Sequence, residues 1–186
     1  MQQYDHEVYE EFMNLFDNLP VAACVNGQYL AVHGGISEKL ESFDHINNFE
    51  RKLEPDPDTL VCDLLWSDPL PDNLASKNDF VHNEQRGTAC MFGMAPLTKL
   101  LQESGYASMI RAHEVKKNGY SFHMQDQYGH PTCITIFSAP NYCGHYGNKG
   151  ALFVSRPQAV DVLTFEECQE KPIVLQMKGK IDPSTG

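Results

Sequence analysis

The sequence predicts a mixed α/β fold, because helical and strand-like patterns alternate along the chain. Three features carry this prediction: an amphipathic stretch near the N-terminus, two apolar runs that flank an Asn-Gly pair, and a later series of short strand-like segments separated by Gly and Asn. The chain has 186 residues. That length is typical of one domain or of part of a larger one.

The first half contains two predicted helical stretches. Residues 5–18 carry apolar side chains at helical spacing and are followed by Pro20, so an amphipathic helix is predicted there. Residues 37–59 are polar, contain Pro55 and Pro57, and predict a short helix followed by a loop.

A β-hairpin is predicted directly after the first helix. The apolar runs 21–25 and 28–32 flank Asn26-Gly27, which favours a hairpin with a two-residue turn. The second run ends at His33, so the hairpin places this histidine at the end of a strand.

The second half combines a loop, a helix and several strands. Asp and Pro residues after position 67 predict a turn and then a long surface loop that reaches Asn83. Leucines at helical spacing predict a helix over 96–104, with Gly105 as its stop. The strands are predicted at 108–112, 120–124, 133–137, 151–155 and 160–165.

Composition and charge exclude several classes of protein. With 14 Lys+Arg and 25 Asp+Glu the formal net charge is −11, which argues against a nucleic-acid partner. The longest apolar runs are too short to span a bilayer, and the N-terminus has no secretory pattern. The six cysteines do not form C-x-x-C pairs, so we expect reduced thiols and a location in the cytoplasm or nucleus.

Two histidines follow predicted strands and are candidate metal ligands. His33 precedes two glycines, which let the backbone turn sharply and approach a ligand closely, and a neutral imidazole is a common metal ligand. The alternative is a packed histidine beside a tight turn. For His113 the spacing favours a surface pair between Arg111 and Glu114, with the histidine uninvolved. The two histidines are far apart in sequence, so only a fold can join them.

Two further side chains suit an anionic ligand. Arg86 precedes Gly87, and its planar guanidinium fits a phosphate or carboxylate, although most loop arginines are simply solvated. Tyr142 offers a hydroxyl donor, with an ordinary packed aromatic as the alternative. Cys143 beside it has the position of an exposed thiol.

Six segments in order resemble the second half of the catalytic core of the phosphoprotein phosphatases, which are metal-dependent serine/threonine phosphatases. The likeness is greatest to the calcineurin-like and tetratricopeptide-associated branches of that family. The segments are Leu-Pro-Val-Ala at 19–22, Val-His-Gly-Gly at 32–35, Leu-Trp-Ser-Asp-Pro at 65–69, Gln-Arg-Gly at 85–87, Arg-Ala-His-Glu at 111–114 and Phe-Ser-Ala-Pro-Asn-Tyr-Cys at 137–143.

The resemblance implies a fold and a domain division. Residues 1–165 would form the C-terminal half of a metallophosphatase four-layer α/β/β/α sandwich with mixed sheets. Residues 166–186 would form a C-terminal tail, where Pro172, Gly179 and Pro183 would interrupt any regulatory helix. A dedicated regulatory subunit docking at this end is therefore not expected, although other regulatory proteins are.

The resemblance also assigns roles in hydrolysing phosphoserine and phosphothreonine in proteins. His33 and His113 would bind one metal of a binuclear centre of Mn, Fe or Zn, whose bound hydroxide attacks phosphorus directly. Arg86 and Tyr142 would contact the substrate phosphate, and Asp68 would orient a phosphate-binding arginine. No membrane partner is expected.

The same resemblance marks the segment 142–148 as a loop that contacts inhibitors. Cys143 corresponds to a cysteine that some natural toxins modify, and Tyr146 lies in the same loop.

The first-half motifs of the family are missing from this chain. They begin with Gly-Asp or Gly-Asn-His-Glu, and the sequence contains no Gly-Asp dipeptide. The ligands of the first metal and the bridging aspartate lie in those motifs, so the N-terminal half of the core is a missing partner. At most one weakly held metal is expected, and the isolated chain is predicted to be inactive, as a truncated or cloned fragment. The alternative is a non-catalytic module, or pseudophosphatase, that binds phosphatase regulators or phosphoproteins.

Overall fold

The structure is a computed structural model that describes residues 5–48, 50, 54–157 and 159–168. It confirms the mixed α/β class. The helices are α1 His6–Asp17, α2 Phe43–Asn48, α3 Leu60–Trp66, α4 Asp72–Ala75 and α5 Met94–Ser104. The strands are β1 Ala22–Val25, β2 Tyr29–Val32, β3 Asp68–Pro69, β4 Phe80–His82, β5 Cys90–Phe92, β6 Ser108–Arg111, β7 Tyr120–Gln125, β8 Pro131–Ile136, β9 Gly150–Arg156 and β10 Ala159–Phe165.

The main sheet has five strands in the order β1-β2-β6-β8-β7. Its three inner strands are parallel, and the two outer strands pair antiparallel. Because parallel strands end at the same edge of a sheet, the segments after β2, β6 and β8 meet there. His33 follows β2 and His113 lies two residues after β6, so both arrive at this edge.

The predicted hairpin forms β1 and β2, but its loop is one residue longer than predicted. Asn26 and Gly27 both adopt positive φ, and the N–H of Gln28 donates to the carbonyl of Val25 at 3.0 Å. The pairing begins at Val25 and Tyr29, which leaves three residues between the paired positions.

A second sheet of three short strands, in the order β3-β5-β4, corrects the prediction of one long loop up to Asn83. These strands have two or three residues each, which is too short for an alternating pattern to appear in the sequence. Helix α4, of four residues, also falls in that predicted loop. This sheet holds Asp68 in β3 and presents the loop of Arg86 between β4 and β5.

Helix α3 was not predicted either. Its first positions are buried almost continuously, so they show no amphipathic period. Thr59 caps its N-terminus by accepting a hydrogen bond from the N–H of Cys62 at 3.2 Å. At its other end, the carbonyl of Leu64 accepts from the N–H groups of Gly34 at 2.8 Å and Gly35 at 3.3 Å. The helix is therefore joined to the segment that carries His33.

One core cluster joins the main sheet to the helices. Its members include Leu30, Leu64, Phe92, Leu97 and Met109, all at most 3% exposed. Helix α1 follows the predicted 5–18 closely but buries none of its residues. Its apolar side of Phe12, Leu15 and Phe16 is about half exposed.

The two remaining strands, β9 and β10, form a separate antiparallel hairpin. Strand β10 ends at Phe165, and the predicted tail 166–186 lies outside the described residues from position 169 onward. Within the described ranges, no helix is both long and apolar enough to cross a membrane.

Candidate functional site

One cleft brings the predicted site residues together. It has a volume of about 670 Å³ and lies at the edge where the parallel strands end. Of the residues singled out in the sequence, it is lined by His33, Asp68, Arg86, His113, Tyr142 and Tyr146.

The two histidines are in direct contact, although they are 80 positions apart in the sequence. His33 Nε2 and His113 Nδ1 are 3.2 Å apart, so a proton on one nitrogen is shared with the lone pair of the other. His113 adopts a positive φ of 56°, a conformation that non-glycine residues rarely adopt. Strand β6 ends at Arg111, so His113 lies beyond the strand, and its backbone turn brings the ring to His33.

The surroundings of both histidines favour the neutral ring. Burial lowers the pKa of His33, and the positive charges of Arg111 and Arg86 lower it further. Burial and the charge of Arg86 bring the pKa of His113 down to about 4. Neutral imidazoles are the form that binds metal ions.

The glycines beside His33 are required for close packing in this structure. A Cβ at Gly34 would lie 2.5 Å from the backbone carbon of Leu65, and one at Gly35 would lie 2.2 Å from the ring of Phe92. Neither glycine is among the residues with positive φ. They permit close packing of this segment on α3 and the core.

Arg86 is held by a carboxylate at the base of the cleft. Its Nε donates to Asp68 Oδ2 at 2.9 Å, and Asn83 Nδ2 donates to the same oxygen at 2.9 Å. Asn83 also accepts a hydrogen bond from the backbone N–H of Arg86 at 3.3 Å, which shapes the loop. Arg86 Nη1 forms no hydrogen bond with the residues that the structure describes, so it can donate to an anion in the cleft.

Asp68 is ionised in this arrangement. Its burial alone would raise its pKa, but hydrogen bonds from Arg86 and Asn83 and the nearby charge of Arg111 outweigh burial and hold the pKa below its ordinary value. The carboxylate therefore keeps a full negative charge for two arginines.

Tyr142 and Tyr146 come from one loop that lines the cleft. The backbone N–H of Tyr142 donates to Asn148 Oδ1 at 2.9 Å, and its ring meets that of Phe137 edge-on at 5.2 Å. The rings of Tyr142 and Tyr146 are 5.7 Å apart. Cys143 is exposed in the same loop but does not line the cleft.

Several cleft residues were missed in the sequence, or seen only as parts of a motif. Trp66 is 40% exposed and meets the ring of His113 edge-on at 5.1 Å. Gln85, Glu114 and Val115 also line the cleft. Arg111 does pair with Glu114, but it is buried and not on the surface as expected. The sequence feature that could have predicted the burial of Arg111 is its position at the end of an apolar strand-like segment.

A larger cavity, of about 780 Å³, lies between α1 and β1 and has a mostly apolar lining. His33 stands at its border, but the arginine, tyrosines and second histidine do not contribute to it. We place the chemistry in the smaller cleft, because the polar groups converge there.

The histidine pair fits a divalent metal ion as part of its ligand set. The facing nitrogens, His33 Nε2 and His113 Nδ1, are 3.2 Å apart, a separation at which one ion can bind both lone pairs in place of their shared proton. In the part of the chain that the structure describes, no three His, Cys, Asp or Glu side chains cluster in a geometry for a metal. The pair thus provides two nitrogen ligands for a metal ion and no carboxylate ligand.

Comparison with known proteins decides the family. The family model described as calcineurin-like phosphoesterase matches residues 1–117, which is more than half of the chain. The chain belongs to the calcineurin-like phosphoesterase family. This confirms the resemblance, and metal ions in general are a property of these metallophosphoesterases.

Its relatives are serine/threonine protein phosphatases. The phosphatase 2B catalytic subunit A1 of Saccharomyces cerevisiae is 38% identical over 175 residues, covering 89% of this chain and 32% of the relative. Human serine/threonine-protein phosphatase 5 is 40% identical over 150 residues, covering 80% of this chain and 28% of the relative. This calcineurin-like chain therefore spans about a third of the length of these relatives.

A solved structure shows the same fold. A protein serine/threonine phosphatase from Saccharomyces cerevisiae, described as similar to human phosphatase PP5, superposes with a TM-score of 0.75 at 28% identity. The match covers 92% of this chain and 54% of that one. The fold of the calcineurin-like chain is thus similar to that of about half of this phosphatase chain.

Proposed function

We propose that this chain is one part of the catalytic core of a serine/threonine protein phosphatase. The observation that carries the proposal is the convergence of Arg86, Tyr142 and the two histidines on one cleft. The substrate class is a phosphoserine or phosphothreonine side chain in a protein, whose dianionic phosphate suits the donors of this cleft.

Each residue has a distinct part in this proposal. Arg86 binds and orients the phosphate, while Asp68 holds the guanidinium in place from below. Tyr142 supplies a hydroxyl donor from the loop after β8, and His33 and His113 would hold a metal ion of the Mn, Fe or Zn type. Metal ions, when bound, supply positive charge beside the phosphate and a nucleophilic water. Tyr146 and Cys143 belong to the loop proposed to contact inhibitors.

We also propose that the 186-residue chain is inactive by itself and needs the missing half of the core. Two imidazoles without a carboxylate hold a metal ion weakly, because ligand number and charge set affinity. The segment that carries the Gly-Asp motifs in full-length relatives would supply the other ligands. The cytoplasm or nucleus stays the predicted location.

The experiment compares this chain alone with the chain joined to the Gly-Asp segment of a full-length relative. Both are assayed with Mn²⁺ on a phosphoserine peptide. We expect turnover only from the joined protein, and an Arg86→Ala variant of it should lose at least about 100-fold in kcat/KM. Arg156→Ala, on the exposed β9–β10 hairpin, is the matched control and should keep full activity.

The outcomes separate the two proposals. Turnover by the isolated chain on a par with a full-length relative would overturn its inactivity and leave the function standing. A joined protein that folds, binds phosphopeptide and never turns over would favour the non-catalytic binding module.

A further inference from the structure

Arg111, the last residue of β6, is the largest fully buried side chain that the structure describes. Its side chain is 0% exposed. An arginine is almost never fully buried unless its charge is paired, so its partners explain why it is there.

The guanidinium of Arg111 binds three separate segments at once. Nε donates to the carbonyl of Gly34 at 2.6 Å. Nη2 donates both to the carbonyl of Ser67, at 3.2 Å, and to Asp68 Oδ1, at 2.8 Å. Nη1 donates to Glu114 Oε2 at 2.8 Å.

Each of these segments carries one working group of the cleft. Gly34 follows His33, and Glu114 follows His113. Asp68 holds Arg86 through Oδ2, at 2.9 Å from Nε, and Arg86 Nη2 also lies 3.5 Å from Oδ1. Arg111 itself does not line the cleft. It contacts the neighbours of the reacting groups and none of the groups themselves.

We infer that Arg111 is a positioning residue, which sets the spacing between the histidine pair and the phosphate-binding Arg86. The inference rests on the proposed function, since it concerns the same cleft. Without Arg111 the two backbone carbonyls and the two carboxylates would have no common donor, and the three segments would no longer be tied to one rigid point.

Lysine cannot take this place. A guanidinium presents five N–H donors in a fixed planar fork, whereas an ammonium is a point charge with three donors on a flexible stem. Lys116 already binds the second oxygen of Glu114 at 3.1 Å, so a lysine at 111 would also add a second ammonium to that carboxylate.

The test compares Arg111→Lys with Arg156→Lys in the full 186-residue chain. Arg156 is an arginine at the end of β9 that pairs with Asp161 on the exposed hairpin, so it controls for losing a guanidinium. The sequence contains only four arginines, so their Nε–H signals can be assigned by NMR. The single tryptophan, Trp66, touches the ring of His113 and reports on that loop by fluorescence.

Without any ligand, Arg111→Lys should shift the Nε–H signal of Arg86 and change the emission of Trp66. Arg156→Lys should do neither. Unchanged Arg86 and Trp66 signals in a folded Arg111→Lys protein would overturn the inference, because a merely structural arginine would lower stability and leave the cleft of the folded protein as it was.

Glu114→Gln serves if Arg111→Lys does not fold. It keeps Arg111 and weakens its link to the His113 loop, together with the ion pair between Glu114 and Lys116. We expect the Trp66 emission to change and the Arg86 signal to stay. A change in both signals, or in neither, would contradict the inference that Arg111 contacts the His113 loop through Glu114 and Arg86 through Asp68.

A second arm uses inorganic phosphate and Mn²⁺ as probes. Phosphate binding is measured by the shift of the Arg86 Nε–H signal, and Mn²⁺ binding by the quenching of Trp66 fluorescence. Arg111→Lys should lower the affinity for phosphate and for Mn²⁺ by about 10-fold or more, because residues that orient binding groups typically have effects of this size when they are mutated. Equal affinities in variant and wild type would overturn the inference. A wild-type chain that binds neither probe would count against the phosphate-binding role of Arg86 and the metal-binding role of the histidine pair in this half of the core, while the ligand-free spectra still decide the contacts of Arg111.

Discussion

At the scale of single residues, the cleft depends on charges that are buried and paired. Asp68 is 5% exposed and lies between Arg86 and Arg111. Removing one member of a buried ion pair is far more costly than removing a surface pair, because the remaining charge stays out of water without a partner.

Asp68→Asn should lower the free energy of unfolding by about 3 kcal/mol, since Arg111 loses a buried counter-charge. The matched control is Asp161→Asn on the exposed hairpin, which should cost less than about 1 kcal/mol. Urea denaturation at pH 7 measures both changes. Equal losses in the two variants would show that the buried network does not stabilise the fold.

The same residue predicts a pH dependence. Asp68 has a lower pKa in the folded chain than its ordinary value of about 3.9, so its stabilising effect is complete above that pH. The effect is lost as the pH falls below 3.9 and through the lower folded pKa. The difference in unfolding free energy between wild type and the Asp68→Asn variant should therefore shrink toward zero as the pH is lowered through that range. A difference that stays constant over this range would show that the pKa of Asp68 is not lowered by folding.

At the scale of elements, the site depends on how closely the segment after β2 lies against α3. The N–H groups of Gly34 and Gly35 both donate to the carbonyl of Leu64. The sequence showed the two glycines but not the element they contact, because α3 had no amphipathic period of its own. Close packing of this segment on the helix requires a glycine at position 34.

Gly34→Ala should destabilise the chain by about 2–3 kcal/mol, because the new Cβ would meet backbone atoms of Leu65 and Trp66 that cannot swing aside. The emission of Trp66 should change as α3 is displaced. Gly105→Ala is the control: it puts a side chain on the left-handed cap of α5 and should cost about 1–2 kcal/mol. Its Trp66 emission should equal that of wild type, and a Gly34→Ala protein with that same emission would contradict the packing argument.

At the scale of the whole molecule, the buried core and the exposed apolar surface lie in different places. Phe92 is 0% exposed and packs against the segment of His33, while Phe12 on α1 is 54% exposed. The core of the described residues thus extends to the site, and α1 lies outside it.

Phe92→Ala should cost about 3–5 kcal/mol of unfolding free energy, and Phe12→Ala should change it by less than about 0.5 kcal/mol. Denaturant titrations of the two variants give a direct comparison, since the substitution is the same. A large loss in Phe12→Ala would show that α1 is packed in solution, contrary to the structure.

Local patterns in the sequence determined a good part of this protein. Helices α1 and α5, the first hairpin and the later strands were predicted, since each depends on periodicity, turn residues or stops within a few positions. The ordered motifs indicated the family, and the family model confirms it.

Only the tertiary structure decided how the site is assembled. The contact between His33 and His113 follows from parallel pairing of β2 with β6, whose hydrogen bonds join residues far apart in the chain. The burial of Arg111 and the small sheet that holds Asp68 likewise depend on distant partners. Pairing between distant segments leaves no local period in a sequence, so the sequence named the reacting groups and the fold decided which of them meet.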